Sequence, residues 1–278
     1  MRLPIIVLIV TFSIFSQVSA QYRTAKVRHT DFDLNGKVVK AEIQHFKKQQ
    51  NPNPAGQGVL ERSEEITFKN GYIETSAEYY PQYNIRHQYQ YSFSPDYKAY
   101  TTFYSRLKNG EINARDTTRY KSYPFQGLDF FYPADAMVTP GESGSLALSY
   151  KLGKYKYNTV LSLEGRLIKV AGGEDKFFDL KGYLRKKEVT SNSETFNYNA
   201  DGLYIGGEET SLTPGASQVK VFYDFDAHHN WVRKIIVDYT HGVITNFTYT
   251  ARQLTYADKT VTGTLEYDWE FIRKNTAQ

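Results

Sequence analysis

Apolar and polar residues alternate with a period of two along most of the chain beyond its first twenty residues, the signature of strands with one covered and one wet face. The clearest run is Leu265 to Phe271: Leu265, Tyr267, Trp269 and Phe271 fall on one face, and Glu266, Asp268 and Glu270 on the other. Leu146, Leu148, Tyr150 and Leu152 alternate with Ala147, Ser149 and Lys151. Tyr155, Tyr157, Thr159, Leu161 and Leu163 follow the same rule, as do Tyr89, Tyr91 and Phe93. No stretch of similar quality shows helical spacing behind a capping residue. The pattern therefore predicts an all-β fold, an antiparallel meander of tyrosine-rich hairpins forming an open twisted sheet, a sandwich or a barrel.

Between the runs sit Asn35-Gly36, Asn70-Gly71, Asn109-Gly110, Asp201-Gly202 and His241-Gly242. Asn-Gly and Asp-Gly permit the positive φ angles of tight hairpin turns. Lys47 to Gly58 reads as a polar loop, and Pro124 to Gly144, rich in proline and glycine, as the boundary between two halves. The division expected is a signal peptide over residues 1–20, a first meander over 21–125, a connecting loop over 126–145 and a second meander over 146–278.

The two halves also align with one another. Gly110 follows Tyr91 by 19 residues, and Gly242 follows Tyr223 by 19. Arg119 to Tyr123 and Arg252 to Tyr256 are both spaced by 4. Each unit reads as strand, glycine turn, two strands, glycine turn, strand. A duplication of this kind implies that the copies share a core, since one meander covers only one of its faces.

Tyr223-Asp224-Phe225-Asp226-Ala227-His228-His229-Asn230-Trp231, followed by Thr250, Arg252, Leu254 and Tyr256, resembles the hairpins of the secreted bacterial YD-repeat (RHS-like) β-sheet proteins, mainly over residues 198–256. Tyr198-Asn199-Ala200-Asp201-Gly202 resembles the opening of a preceding unit, and Asp31 to Gly36 a more distant one. His229 stands where that family usually has glycine, and the stretch from Leu128 to Lys187 departs from its pattern. The resemblance implies an extended β scaffold, a shell or binding surface without catalytic residues, in which Asp224 and Asn230 are turn residues.

Composition adds a compartment. Arg2, the apolar run Leu3 to Phe15 and the small residues Val18-Ser19-Ala20 read as a secretory signal, with cleavage expected between Ala20 and Gln21. The run is shorter than the roughly 20 residues a membrane-spanning helix needs, and no second run of that apolarity follows. Cysteine is absent, so a lipoprotein anchor and disulfides are both excluded. A disulfide-free exported chain fits a bacterial periplasm or cell surface. Stability must then come from burial, which the 24 tyrosines and 17 phenylalanines can supply on pleated surfaces. The net charge of +4 is scattered rather than gathered in a stripe, which argues against nucleic acid as a partner.

Candidate chemistry is sparse. Asp224, Asp226, His228 and His229 are the one metal-like cluster, but strand alternation and a turn between them do not give convergent ligands. Glu266, Asp268 and Glu270 would put three carboxylates on one strand face, some 6.5–7 Å apart, a separation glycosidases use. Gly172-Gly173 and Gly206-Gly207 lack the strand-to-helix context of a phosphate loop. His29, His45, His87 and His241 stand alone. No cofactor is implied. The expectation is an exported, non-enzymatic structural or binding protein engaging a protein or glycan through aromatic side chains. The alternatives are a carbohydrate-active hydrolase using the C-terminal acids, and a periplasmic carrier of an apolar ligand inside a barrel.

Overall fold

The computed structural model describes residues 27–47, 49, 58–152, 154–172, 174–189, 192–200, 202–210 and 217–276. The expected signal peptide, most of the polar loop after Lys47, Gly173 and Asp201 lie outside these residues.

Among the described residues the alternation is realised as twenty antiparallel strands. The first seven are β1 (Val38–Phe46), β2 (Leu60–Lys69), β3 (Tyr72–Tyr80), β4 (Ile85–Phe93), β5 (Ala99–Lys108), β6 (Glu111–Phe125) and β7 (Leu128–Pro133). The next seven are β8 (Met137–Pro140), β9 (Leu146–Leu152), β10 (Tyr155–Glu164), β11 (Leu167–Ala171), β12 (Asp175–Phe178), β13 (Leu184–Val189) and β14 (Asn192–Thr195). The last six are β15 (Asn197–Tyr198), β16 (Tyr204–Thr210), β17 (Ser217–Phe225), β18 (Trp231–Thr240), β19 (Val243–Tyr256) and β20 (Val261–Gly263).

Most neighbours in sequence pair as hairpins, β14 and β15 both pair with β16, and β1 pairs with β2 on one side and with β19 on the other. The ladder is interrupted between β7 and β8. An arm of seven strands and an arm of thirteen thus join at the β1–β19 contact, and the sheet stays open. Residues 126–145, expected to be a connecting loop, hold β7 and β8, with the interruption between Pro133 and Met137.

The tight turns follow their dipeptides. Asn70-Gly71, Asn109-Gly110 and His241-Gly242 each carry two consecutive positive φ angles (53° and 79°, 55° and 84°, 53° and 78°), as a two-residue hairpin of matching twist requires. Gln126-Gly127 does the same between β6 and β7 without the expected asparagine. Asn35-Gly36 differs. It lies ahead of β1 and docks on the C-terminal arm rather than turning a hairpin. The repeat needs one correction too: three strands, not two, separate Gly71 from Gly110, and three separate Gly202 from Gly242.

A second turn type recurs. In Asp179–Tyr183, Asn199–Leu203 and Asp226–Asn230, the first amide donates to the fifth carbonyl and the fourth amide donates back to the first carbonyl. The first side chain also accepts the fifth amide, at 3.0, 2.9 and 2.9 Å. The fourth residue is left-handed in all three: Gly182 (85°), Gly202 (79°) and His229 (59°). An aromatic residue precedes each turn, so the pattern is aromatic, Asp or Asn, two residues, then a left-handed position. The turn residue is therefore Asp226 rather than Asp224, which lies inside β17. One copy, at Asp179, falls in the stretch expected to depart from the pattern.

Asn230, Trp231, Arg252 and Tyr256, all buried, tie the last hairpins to the N-terminal segment. Asn230 donates through Nδ2 to the Tyr256 hydroxyl (2.6 Å) and the Asn35 carbonyl (3.1 Å), and its Oδ1 accepts the Asn35 amide (2.6 Å). The Tyr256 hydroxyl donates to Asp226 Oδ2 at 2.6 Å. Arg252 lies 3.7 Å over the Trp231 ring and donates to the carbonyls of Trp231 (2.7 Å) and Phe32 (3.0 Å). Burial pushes its pKa down to about 10.

Three apolar clusters cover the sheet. One joins Val38, Ala41, Ile43, Ile66 and Leu254 under the N-terminal segment. A second lays Tyr123, Phe125 and Phe130 of β6–β7 against Leu148, Leu161, Ile168 and Leu184 of the long arm. The third departs from expectation. Leu265 to Phe271 is not a strand; the chain passes through a loop into α1 (Trp269–Thr276). Both edges of β19 are already occupied by β1, β18 and β20, so no ladder is open to the segment. Asp268 caps the helix, its Oδ1 accepting the Phe271 amide at 2.9 Å. Ile272 then seats among Phe46, Ile235, Val237, Phe247 and Tyr249, with Tyr267, Trp269 and Phe271 half-buried around it.

Two substitutions test the turn and the tie. Asn230→Ala removes the buried bond to the Tyr256 hydroxyl and both bonds to Asn35, and is expected to destabilise the protein by about 1–3 kcal/mol, read from urea midpoints at unchanged slope. His229→Gly relieves a left-handed histidine and is expected to stabilise by about 1 kcal/mol; a loss would contradict the strain inferred at His229.

Candidate functional site

Asp224, Asp226, His228 and His229 do not converge. Asp224 faces Arg233 (3.4 Å) on β18. Asp226 spends both oxygens on the turn and the tie: Oδ1 on the amides of His228 and Asn230, Oδ2 on the hydroxyls of Tyr256 and Thr262. Burial alone would raise its pKa, but these donors hold it below the usual carboxylate value. No group of three metal-ligating residues forms among the described residues. The C-terminal acids are dispersed as well. Asp268 caps α1 and pairs with Arg233, while Glu266 and Glu270 are exposed on the loop and the helix. Gly206 and Gly207 lie inside β16, where a Cβ at either would come within 2.0 Å of a neighbouring strand's carbonyl oxygen; they permit close strand approach rather than phosphate binding.

The register assembles a polar stripe on the tyrosine-bearing face of the short arm. Cross-strand pairing brings His45, Arg62, Glu64, Glu78, Tyr80 and His87 together on one face. Arg62 lies 3.0 Å from Glu64 and 3.9 Å from Glu78, and the Tyr80 hydroxyl donates to Glu78 at 3.1 Å. His45 is buried against the seam. Its Nε2 is 3.4 Å from Glu64 Oε1, an ion-pair distance without hydrogen-bond direction, and its Nδ1 is 3.4 Å from Thr250 Oγ1. His87 contacts the Tyr104 hydroxyl at 2.8 Å. Burial, helped by Glu64, raises the Glu78 pKa, and burial lowers those of His45 and His87. In sequence this stripe was hidden because Glu61 to Glu65 reads as uniformly hydrophilic. Its acids are tied to Arg62, which makes it a structural array first.

Tyrosines extend the stripe. Tyr89 and Tyr104 have ring centres 5.0 Å apart, Tyr100 and Tyr120 4.9 Å, Tyr132 and Tyr150 5.5 Å. Most are half-buried in this packing; Tyr83 and Tyr155, at hairpin ends, are exposed.

The opposite face of the short arm is open. Gln90, Phe103 and Thr117 form one cross-strand row and Gln88, Ser105 and Arg115 the next, so a groove crosses β3 to β6. Its volume is about 470 Å³, and Phe103 is 46% exposed. Arg86 and Arg115 line it, while Glu65 at its end is paired with Lys40 (3.0 Å). A second cavity of about 510 Å³ lies where β6 leaves β7, bounded by Asp116 to Arg119, Pro133 to Asp135, and Lys151 and Leu152. No helix among the described residues is long and apolar enough to cross a membrane.

No family model matches the chain, and no curated protein matches it. Among solved structures, a porin-like protein from Bacteroides uniformis aligns over 80% of this chain and 99% of its own, at 8% identity and a TM-score of 0.31. A protein from Lactobacillus plantarum aligns over 83% of each chain, at 7% identity and a TM-score of 0.14. Similarity this slight transfers neither architecture nor activity.

Because His45 holds its proton less tightly folded than unfolded, its contribution to stability is complete above the ordinary imidazole value of 6.5 and is lost as pH falls through it. Glu78, raised, acts in the opposite sense: its contribution is present at acid pH and is lost as pH rises through its folded value. Wild type is expected to lose up to about 1.4 kcal/mol per pH unit below 6.5 that His45→Gln does not lose. Parallel stability curves for the two proteins between pH 7.5 and 5 would exclude this role.

Proposed function

We propose that this chain is an exported, non-enzymatic sheet protein of the bacterial envelope that holds an extended protein or glycan partner on the outer face of its short arm. The open groove across β3 to β6 carries this reading. Its amides, hydroxyls and arginines can bond a polar chain, and Phe103 offers the apolar surface on which a ring or aliphatic side chain rests. Export rests on the signal-like first twenty residues. The scaffold role rests on the YD-repeat resemblance, whose quoted residues include turn and tie residues rather than reactive groups. The hydrolase alternative loses the strand face that motivated it, since Asp268 is a helix cap. The carrier alternative required a closed barrel, and the sheet is open.

The reading is tested by titrating the purified protein against envelope polysaccharides and extended peptides by calorimetry. Phe103→Ala, at an exposed position that leaves the fold intact, is expected to weaken whichever partner binds by tenfold or more. Undiminished affinity in Phe103→Ala would place the partner elsewhere.

A further inference from the structure

β6 is fifteen residues long, yet its two edges are unequally used. On one side it pairs with β5 from Glu111 to Lys121; on the other it pairs with β7 only from Tyr120 to Phe125. Residues Glu111 to Thr118 therefore present an edge with no strand against it among the described residues, and the cavity of about 510 Å³ opens along its inner part. The Ala134 amide donates to the Arg119 carbonyl at 2.8 Å, which shows that Arg119 turns its polar groups outward. The two-residue repeat of an antiparallel ladder turns those of Thr117 and Arg115 the same way. The Thr117 amide is meanwhile taken by Asp116 Oδ1 at 2.8 Å, a local bond standing in for a missing strand.

We propose that this edge accepts an extended acidic peptide as an added strand. The inference rests on the binding reading above and names the partner class. Arg115, Thr117 and Arg119 share one face of β6, and neither arginine forms an ion pair among the described residues; the cavity wall adds Lys151 together with the carboxylates of Asp116 and Asp135, so the two arginines carry the positive charge along the edge itself. Residues opposite each other on paired strands interact directly, and opposite charges there are favourable. An added strand with a neutral residue against Thr117 sets one carboxylate opposite Arg115, while Ala134 holds the main-chain position opposite Arg119, so a second carboxylate four residues away meets the Arg119 side chain where the peptide leaves the edge. Main-chain bonds to Arg115 and Thr117 supply affinity, and the arginines supply the choice of sequence. Binding exchanges the Asp116 bond for an intermolecular one, so Asp116 acts as a removable guard of the edge.

Fluorescence anisotropy with labelled ten-residue peptides tests this on the purified protein. A threonine- and valine-rich peptide with glutamates four apart is expected to bind, weakening with salt; its lysine counterpart is not. Thr117→Pro removes the outward amide at an exposed edge and is expected to reduce binding more than tenfold with an unchanged circular-dichroism spectrum. The Arg115→Glu, Arg119→Glu double variant is expected to prefer the lysine peptide, and Asp116→Ala to bind the glutamate peptide several-fold tighter. Equal binding of both peptides, insensitivity to Thr117→Pro, or no binding at millimolar peptide overturns the proposal. If a polysaccharide still binds through Phe103 in that case, the groove reading stands and the edge inference alone falls.

Discussion

The contact of β1 with β19 decides how the rest of this molecule is held. The short arm reaches the long arm by hydrogen bonds through that ladder, from Val38 opposite Tyr256 to His45 opposite Thr250, continued by the isolated bridge of Gln49 and Phe247. Hairpin pairing is local and needs little chain closure; this contact joins residues some two hundred positions apart and carries the entropy cost of closing that loop. It is accordingly covered on both faces. Ala41, Ile43 and Leu254 pack on one side, and Phe46, Tyr249 and Ile272 on the other.

The last hairpins supply polar residues that serve this seam. Asp226, Asn230 and Tyr256 are linked into one hydrogen-bonded chain, and Asn230 reaches Asn35 just ahead of β1. Arg252 sits buried over Trp231 and binds the Phe32 carbonyl. A buried guanidinium is a poor source of net stability but a strict one of geometry, because Nε and Nη1 reach the Trp231 and Phe32 carbonyls together only in one arrangement. The polar stripe from His45 to His87 has the same character. It enters the seam at His45 and runs outward along the short arm until it meets half-buried tyrosines.

This division leaves the outer face and the free edge of the short arm as the places where chemistry is not consumed internally. The tyrosine face is engaged in packing, the acids of the stripe in ion pairs, and Asp268 in capping and pairing. The outer face of β3 to β6 carries amides, hydroxyls and arginines around one exposed phenylalanine. A sheet presents such groups as a regular row at the spacing of its strands.

From sequence alone, local rules determined much of this protein. The period-two pattern gave the strands, because one covered face suffices to impose it, and three of the Gly-containing dipeptides gave two-residue turns, because only left-handed backbone closes them. What tertiary structure decided was everything that depends on which strands become neighbours. Leu265 to Phe271 alternates as well as any strand here, yet forms a loop and a helix, since both sides of β19 were already occupied and an apolar face lay uncovered. Glu64 and Glu78 look like solvent-facing charges until register sets them beside Arg62. The free edge of β6 is invisible in sequence for the same reason: alternation reports the faces of a strand and carries no information about its edges.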